Sequence, residues 1–292
     1  MVDKNKCYLC DHDDIEKVNG RCRDNHDLLI FKCLNCNLEY LENFDHIDET
    51  FYEKYSHKTH NNMSDNSKIF DKWCTSTRKD DLRRFKHLAR SVKDKNVMDF
   101  GAGNCGFLKL CSGSATSLTA IELDNLSKNM LKDSGISFFK RLEDVPKDKK
   151  FDIITMFHVL EHLKDPISCL RQISSFMNEG TRLFLEIPNA NDALLKLYNN
   201  DEYSKFIYWS YHLRIFNQHN IKILIEKAGL SCLNISQIQR YPLSNHLYWL
   251  SHNKPGGQEI FKDLNNLGLE SQYSTALARM GMCDTILVEV KK

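Results

Sequence analysis

The stretch NVMDFGAGNCG, residues 96–106, decides how the rest of the sequence is interpreted. Asn96–Phe100 predicts a short buried β-strand, which the following glycine stops, and the FLKLC segment after the loop predicts a helix. The three glycines follow the G-x-G-x-x-G spacing, which lets the backbone approach a nucleotide closely. Glu122, about 20 residues after the strand, stands where such folds hold a ribose hydroxyl. Alone, this motif is a weak indication of a nucleotide site.

Strand-like and helix-like segments alternate around this stretch. Apolar residues at helical spacing over 82–92 predict an amphipathic helix ahead of the first strand. Further on, Asp165 as N-cap and Pro166 predict the start of a helix that has Met177 on its apolar face and ends at Gly180. The predicted strands are residues 96–100, 117–123, 136–139, 151–157, 181–187, 231–239 and 284–290. This alternation predicts a parallel sheet covered on both faces, a doubly wound α/β domain.

Asp99 narrows the choice of ligand, because its carboxylate lies where the first strand meets the glycine loop. A pyrophosphate would be repelled there, whereas an ammonium group would be attracted. S-adenosylmethionine carries such an ammonium, together with a ribose for Glu122 and an adenine for a flat slot beside Leu123. The sequence therefore favours S-adenosylmethionine as cofactor over a nicotinamide dinucleotide.

Five ordered motifs carry a resemblance to a known family: VMDFGAGNCG, AIELD, LEDVP, FDIITMFHVLEHLKDP and LFLEIPN. Together they resemble the class I S-adenosylmethionine-dependent methyltransferases over about residues 75–240. The resemblance implies a Rossmann-like, seven-stranded sheet, with Phe157 and His158 ending the fourth strand under the reactive methyl group. The residues it implies for cofactor binding are Asp99, Gly101, Ala102 and Gly103 for the methionine part, Glu122 for the ribose, and Leu123, Leu142 and Glu143 for the adenine.

Two C-x-x-C pairs, Cys7/Cys10 and Cys33/Cys36, mark a separate N-terminal module. Two such knuckles can supply four thiolates to one closed, structural zinc site, as expected for a small zinc ribbon whose own core is limited. A pair of redox motifs is the alternative, and Cys22 between the pairs is a possible substitute ligand. This leader and the long C-terminal half resemble methyltransferases of bacterial sugar and surface-polysaccharide biosynthesis, which implies a nucleotide-sugar or glycan acceptor.

The predicted organisation is a zinc ribbon over residues 1–45, a linker over 46–74 and a methyltransferase domain over 75–292. Two long insertions, 190–216 and 241–282, follow the fifth and sixth strands and are expected to roof the methyl donor. Their aromatic side chains either stack on the acceptor or, in the interpretation we favour, pack the cap itself. The aromatic residues concerned are Tyr198, Tyr203, Tyr208, Trp209, Tyr211, Tyr241, Tyr248 and Trp249.

Transfer to an alcohol needs a base, and His158 and His212 are the candidates because imidazole titrates near neutral pH. Both are also compatible with a structural role. His158, Glu161 and His162 have i, i+3, i+4 spacing, so a metal site on one face of a helix is an alternative. Similar E-x-x-E-H clusters hold magnesium in some quinone O-methyltransferases, but a histidine in the first position suits a hard cation less well.

Composition limits the partners. Lys+Arg 40 against Asp+Glu 39 gives a formal net charge of +1, which argues against nucleic acid. The sequence contains no apolar run long enough for a membrane span and no apolar segment after its first lysines, so a cytoplasmic location is expected. We expect O-methylation of a small-molecule or sugar acceptor. The alternatives are C-methylation of a keto-sugar, RNA methylation, a non-catalytic cofactor-binding subunit and a nicotinamide dehydrogenase.

Overall fold

The computed structural model describes residues 6–18, 20–47 and 65–292, which form one small and one large β-sheet with their helices. The strands are β1 Ile15–Lys17, β2 Ile30–Cys33, β3 Glu39–Leu41, β4 Asn96–Phe100, β5 Ser117–Ile121, β6 Ile136–Phe139, β7 Phe151–Phe157, β8 Met177–Pro188, β9 Arg214–Ile215, β10 Ser231–Ile238 and β11 Thr285–Lys291. The α-helices are α1 Asn66–Val92, α2 Gly106–Cys111, α3 Asn125–Met130, α4 Pro166–Ser174, α5 Ala193–Lys196, α6 Asp201–Ile207, α7 Gln218–Lys227, α8 Leu243–His252, α9 Gly257–Ile260 and α10 Leu267–Met280. Three 3₁₀ turns complete the described elements: Leu142–Asp144, Leu160–His162 and Lys262–Leu264.

The large sheet confirms the α/β prediction. Its seven strands run in the order β10-β11-β8-β7-β4-β5-β6. The pairs from β8 to β6 are parallel, and β11 is antiparallel to both β8 and β10. Because β11 reverses direction, β10 runs the same way as β4, β7 and β8. The carboxyl ends of these four strands therefore lie at one edge of the sheet, where ligands of doubly wound folds bind.

Two predicted helix boundaries are wrong. Helix α4 begins as expected, with the Asp165 side chain accepting from the amide of Ser168 at 3.0 Å, but it ends at Ser174 rather than at Gly180. The chain turns into β8 earlier because Met177 pairs with Phe151 of β7. At the other end of the domain, helix α1 starts at Asn66, so the last part of the predicted linker is helical. The predicted linker residues 48–64 lie outside the described residues.

The N-terminal module is joined to the large domain through a shared sheet. Strands β1, β2 and β3 form an antiparallel sheet whose fourth strand is β9, from the insertion after β8. Side chains of the module are buried with that insertion in a common apolar cluster, which includes Leu28, Ile30, Leu41, Tyr208 and Ile215. The predicted ribbon therefore packs against the large domain.

Candidate active site

A cavity of about 280 Å³ opens at the carboxyl edge of the large sheet. One wall is helix α1, and the other consists of the loops that follow β4 and β7. Its lining residues are Trp73, Ser76, Thr77, Asp80, Asp81, Arg84, Asp99, Gly101, Ala102, Gly103, Asn104, Phe107, Phe157, His158 and Arg240. The cavity thus brings together the predicted methionine-binding residues, Phe157 and one of the two predicted bases.

Asp99, near the end of β4, is a carboxyl group with little solvent, since only 3% of the residue is exposed. Burial raises its pKa to about 7, although a hydrogen bond from Thr155 and the charge of Arg84 oppose that shift. The Thr155 hydroxyl donates to Asp99 Oδ1 at 2.7 Å. A ligand ammonium group would supply the missing counter-charge, because an opposite charge favours the ionised carboxylate.

The glycine loop is held closely between helix α1 and the loop after β7. Gly101 has a φ of +74°, and a Cβ there would lie 2.4 Å from a methyl carbon of Val159. A Cβ on Gly106 would lie 2.1 Å from a carboxylate oxygen of Asp81. Side chains at these positions would therefore collide with both walls, which explains why the chain has glycine there.

The predicted ribose and adenine residues are not among the residues that line the cavity. Glu122 accepts hydrogen bonds from the amide of Gly103 at 2.7 Å and from that of Asp124 at 2.9 Å. Leu142 is buried in the main core, Leu123 is half-buried, and Glu143 is exposed. The structure thus connects Glu122 to the glycine loop, and the roles assigned to these four residues stay predictions.

His158 follows β7 directly and is held by contacts at its backbone and at both ring nitrogens. Its φ is +54°, and its amide donates to the carbonyl of Glu186 at 2.7 Å. Nδ1 lies 3.2 Å from Glu161 Oε1, and Nε2 lies 3.2 Å from Arg240 Nη1. Burial and Arg240 alone would lower the pKa of His158, but hydrogen bonds to Glu161 and Glu186 outweigh them and raise it. The ring is thus fixed in the cavity wall with an increased affinity for a proton.

A group of ion pairs that the sequence analysis missed links α1 to the strand ends. Glu186, fully buried in β8, is paired with Arg83 at 2.8 Å and with Arg84 at 2.7 Å. Asp80 is paired with Arg83 at 3.0 Å and with Arg240 at 2.5 Å. The KDDLRRF segment on a predicted helix, and an arginine directly after a predicted strand, are the signals that could have identified these residues.

His212, the second predicted base, is not among the residues that line the cavity. Its ring is tilted by 40° against that of His162, with the centroids 5.1 Å apart, and burial together with the charge of His162 lowers the pKa of His212 to about 3. Potential ligand atoms of Glu161, His162 and His212 lie within 4.8 Å of one another. The sequence had instead grouped His158 with Glu161 and His162 on one helix. That helix is wrong, because only a 3₁₀ turn follows and the positive φ of His158 directs its ring toward Arg240.

The expectation that the insertions roof this cavity is also wrong. Helix α1 covers it, and none of the insertion aromatics lines it. Most of these side chains pack on one another and on the N-terminal module, as the favoured interpretation expected, whereas Tyr241 is exposed. The ring centroids of Tyr203 and Trp249 are 5.0 Å apart in an edge-to-face contact. The hydroxyl of Tyr208 donates a hydrogen bond to the carboxylate of Glu39 at 2.8 Å. Tyr203 and Tyr208 are thereby buried outside the cavity lining.

The four predicted metal ligands converge. The sulfurs of Cys7 and Cys36 are 3.6 Å apart, those of Cys10 and Cys33 are 3.4 Å apart, and all four lie within 4.8 Å of one another. A tetrahedral zinc ion with Zn–S bonds of about 2.3 Å separates its sulfurs by about 3.8 Å. The cluster therefore fits a zinc ion. Cys22 is not part of it, and lies instead in the apolar cluster shared with the insertion.

The cysteine module supports the loop that carries His158 and Glu161. The Tyr8 hydroxyl, between the first two cysteines, donates to Asp165 at 2.6 Å and accepts from the amide of Ile167 at 3.2 Å. Arg214, buried against the rings of Tyr8 and Phe44, donates to the carbonyls of Leu163 and Lys164, at 2.8 and 3.1 Å. The loop over residues 158–165 is thus fixed from the side opposite the cavity.

Comparison with known proteins assigns the family. A family model described as a methyltransferase domain matches residues 73–235, more than half of the chain. The chain therefore belongs to the class I S-adenosylmethionine-dependent methyltransferases. A ubiquinone biosynthesis O-methyltransferase of Coxiella burnetii is 23% identical over 185 residues, which cover 56% of this chain and 75% of the relative. The mitochondrial ubiquinone biosynthesis O-methyltransferase of Candida albicans is 38% identical over 76 residues, 26% of this chain and 23% of that protein.

Solved structures share the fold at low sequence identity. Magnesium protoporphyrin IX methyltransferase from Synechocystis, with bound S-adenosylhomocysteine, has a TM-score of 0.51 at 10% identity and covers 84% of this chain and 100% of that one. A chain of the complex between the Haloferax volcanii Trm112 methyltransferase activator and a methyltransferase has a TM-score of 0.51 at 15% identity and covers 76% of this chain and 95% of that one. Among the described helices, none is both long enough and apolar enough to span a bilayer.

Proposed function

We propose that this protein transfers the methyl group of S-adenosylmethionine to a hydroxyl oxygen of a small molecule, with His158 as the base. The observation that carries the proposal is the pairing of two groups in one cavity. Asp99 lies at the end suited to the methionine ammonium, and His158 lies in the same lining with Glu161 on its Nδ1. The curated relatives named as O-methyltransferases support an oxygen acceptor.

The proposed mechanism assigns different tasks to the two parts of the cavity. S-adenosylmethionine supplies an electrophilic methyl group on a positively charged sulfur. Asp99 and the glycine loop hold the methionine part of the donor, so that donor and acceptor meet in line. Glu161 orients the His158 ring by accepting from Nδ1. Nε2, which lies 3.2 Å from Arg240 Nη1 and 3.4 Å from Glu186 Oε1, takes the acceptor proton when the acceptor replaces these contacts. A sugar acceptor, which the sequence suggested, gains no support from relatives that are named for quinone biosynthesis.

We also propose that the four cysteines bind one structural zinc ion. Their sulfur spacing fits a closed tetrahedral site, and the amide of Leu9 donates to Cys7 Sγ at 3.4 Å, as expected around a thiolate ligand. Such an ion would crosslink the two knuckles of a module that has little core of its own. Its role is to hold Tyr8, between the first two cysteines, in place for the contacts with Asp165 and Ile167 of the large domain.

The test combines binding with turnover. Calorimetry should detect S-adenosylmethionine binding, and labelled methyl from it should appear on oxygen in a panel of small-molecule hydroxyl compounds. His158→Gln should reduce turnover by about 10²- to 10⁴-fold, the usual contribution of a positioned base, and leave cofactor affinity unchanged. His87→Gln, on the exposed face of α1, is the matched control. Absence of cofactor binding, label on nitrogen or carbon, or full turnover by His158→Gln would each contradict the proposal.

A further inference from the structure

Arg240 lines the cavity, but the proposed mechanism assigns it no role in the reaction. It follows β10, whose carboxyl end lies at the same sheet edge as those of β4 and β7. Its amide donates to Asp284 at 2.9 Å, and the amide of Tyr241 donates to the same carboxylate at 3.1 Å. The backbone that presents this guanidinium group to the cavity is therefore fixed.

The two ends of the Arg240 guanidinium have different contacts. Nε and Nη2 donate to Asp80 of helix α1, at 3.2 and 2.5 Å. Nη1 lies 3.2 Å from His158 Nε2, the nitrogen proposed to accept the proton. The other arginine that lines the cavity, Arg84, is directed to Glu186 and Asp81. Within the described lining, Arg240 is thus the cation that faces the base.

We infer that Arg240 stabilises the acceptor oxygen as an anion during methyl transfer, so that the acceptor carries an acidic, conjugated hydroxyl such as a phenol or an enol. This inference rests on the proposed O-methyltransferase function. The guanidinium keeps its proton, so it cannot act as a base, but its fixed charge favours an oxyanion beside Nη1. The same charge repels an ammonium group and therefore disfavours amine acceptors.

The step balances as a single displacement. The hydroxyl proton passes to His158 Nε2 while the oxygen attacks the methyl carbon. A C–O bond forms, the C–S bond breaks, and its electron pair goes to sulfur, which becomes a neutral thioether. The charges that face His158 are Glu161, Glu186 and Arg240, and those that face Arg240 are Asp80 and Asp284. Arg240 is thus the group placed to favour an ionised acceptor over a neutral one.

The probe for this inference is 4-nitrophenol, whose colour reports its ionisation without any need for turnover. With the full-length protein and S-adenosylhomocysteine, bound 4-nitrophenol should ionise about one to three pH units below the free compound, as expected next to a fixed positive charge. Arg240→Gln should abolish this shift, and Arg240→Lys should keep part of it. The matched control is Arg182→Gln, which removes an arginine paired with Glu289 on the outer part of the sheet.

The results of these experiments distinguish failure of the proposed function from failure of the inference about Arg240. If S-adenosylmethionine does not bind the wild-type protein, the proposed function fails. If the cofactor binds but 4-nitrophenol shows no shift, or shows the same shift with Arg240→Gln, only the inference about Arg240 fails. Should Arg240→Gln not fold, as judged by its thermal melt, Asp80→Asn replaces it. That variant keeps the guanidinium but removes a neighbouring negative charge, so the shift should increase, and an unchanged or smaller shift would overturn the inference.

Discussion

The loop over residues 158–165 has two sides with opposite characters. On the cavity side lie Asp99, the glycine loop and His158, the proposed base, all close to the ends of neighbouring strands. On the far side, Tyr8 and Arg214 hold the loop through contacts between segments that are distant in the sequence. The cavity side carries the residues proposed to bind a ligand, and the far side, called the support side, carries the residues that hold the loop in position.

The two sides differ most clearly in the surroundings of their buried charged side chains, Asp99 and Arg214. Burial raises the pKa of Asp99 to about 7, so this side is less stable when the carboxylate is ionised without a partner. Arg214, only 1% exposed, is instead enclosed by two backbone carbonyls and two aromatic rings of the protein itself. Nε of Arg214 has no partner among the described residues, and burial lowers the pKa of this guanidinium to about 10, but its two carbonyl contacts are made within the protein and hold the loop. Asp99, by contrast, belongs to the cavity lining and is therefore the buried charge that a cationic ligand can reach.

The largest effect is expected from removing one of the four cysteines proposed to bind zinc on the support side. Cys36→Ser should remove the bound zinc and lower the free energy of unfolding by about 4 kcal/mol, the linkage expected for a metal at 1,000 times its dissociation constant. Turnover should fall with it, whereas cofactor affinity should change little because Asp99 lies on the other side of the loop. Zinc content by atomic absorption, thermal melts and calorimetry measure the three quantities. Cys232→Ser, at a half-buried cysteine outside the cluster, should leave all three near wild type.

An unchanged melting temperature after complete loss of zinc would separate the cluster from the stability of the loop. Loss of cofactor affinity to the same extent as turnover would show that the two sides of the loop are not independent.

Breaking the ligand side should have the next largest effect. Asp99→Asn should weaken S-adenosylmethionine binding by at least about 100-fold, since it leaves the ammonium group buried without a counter-charge. In the wild-type protein, affinity should fall as the pH drops through about 7, because Asp99 becomes protonated there and loses its attraction for the ammonium. Calorimetry at several pH values measures both effects. Asp148→Asn, at an exposed position in the turn before β7, is the matched control for loss of a carboxylate.

The same variant has a second, opposite consequence for the free protein. The folded pKa of Asp99, about 7, lies above its unfolded value of 3.8, so stability is lost as the pH rises between these two values and the loss is complete above about 7. Asp99→Asn should therefore melt at a higher temperature than wild type at pH 8 without ligand. A lower melting temperature together with intact cofactor binding would contradict the assignment of Asp99 as the ammonium partner.

The two sides also differ in how well the sequence predicted them. Asp99, the glycines and His158 belong to short segments in which strand, turn and ligand chemistry coincide, so local reasoning located them. The four cysteines were predicted from spacing alone. Arg240, Arg214 and the covering helix α1 could not be assigned in this way, because their roles depend on which distant segments meet. The insertions were wrongly expected to cover the cavity for the same reason: their aromatic side chains are instead buried against one another and, in the case of Tyr208, against the N-terminal module.

The smallest effect is expected from Tyr8→Phe, which tests whether the contacts of Tyr8 with the large domain influence turnover at the cavity. It removes the hydroxyl that contacts both Asp165 and the amide of Ile167, the start of helix α4, without altering the cysteines. The unfolding free energy should fall by about 1 kcal/mol, the usual net value of such a hydrogen bond, and turnover should fall only a few-fold at unchanged cofactor affinity. Tyr40→Phe, in β3 of the same module, is the matched control. If both variants lose the same turnover, the effect comes from the module as a whole. If Tyr8→Phe alone does so, the contact with Asp165 is the route by which the module positions His158.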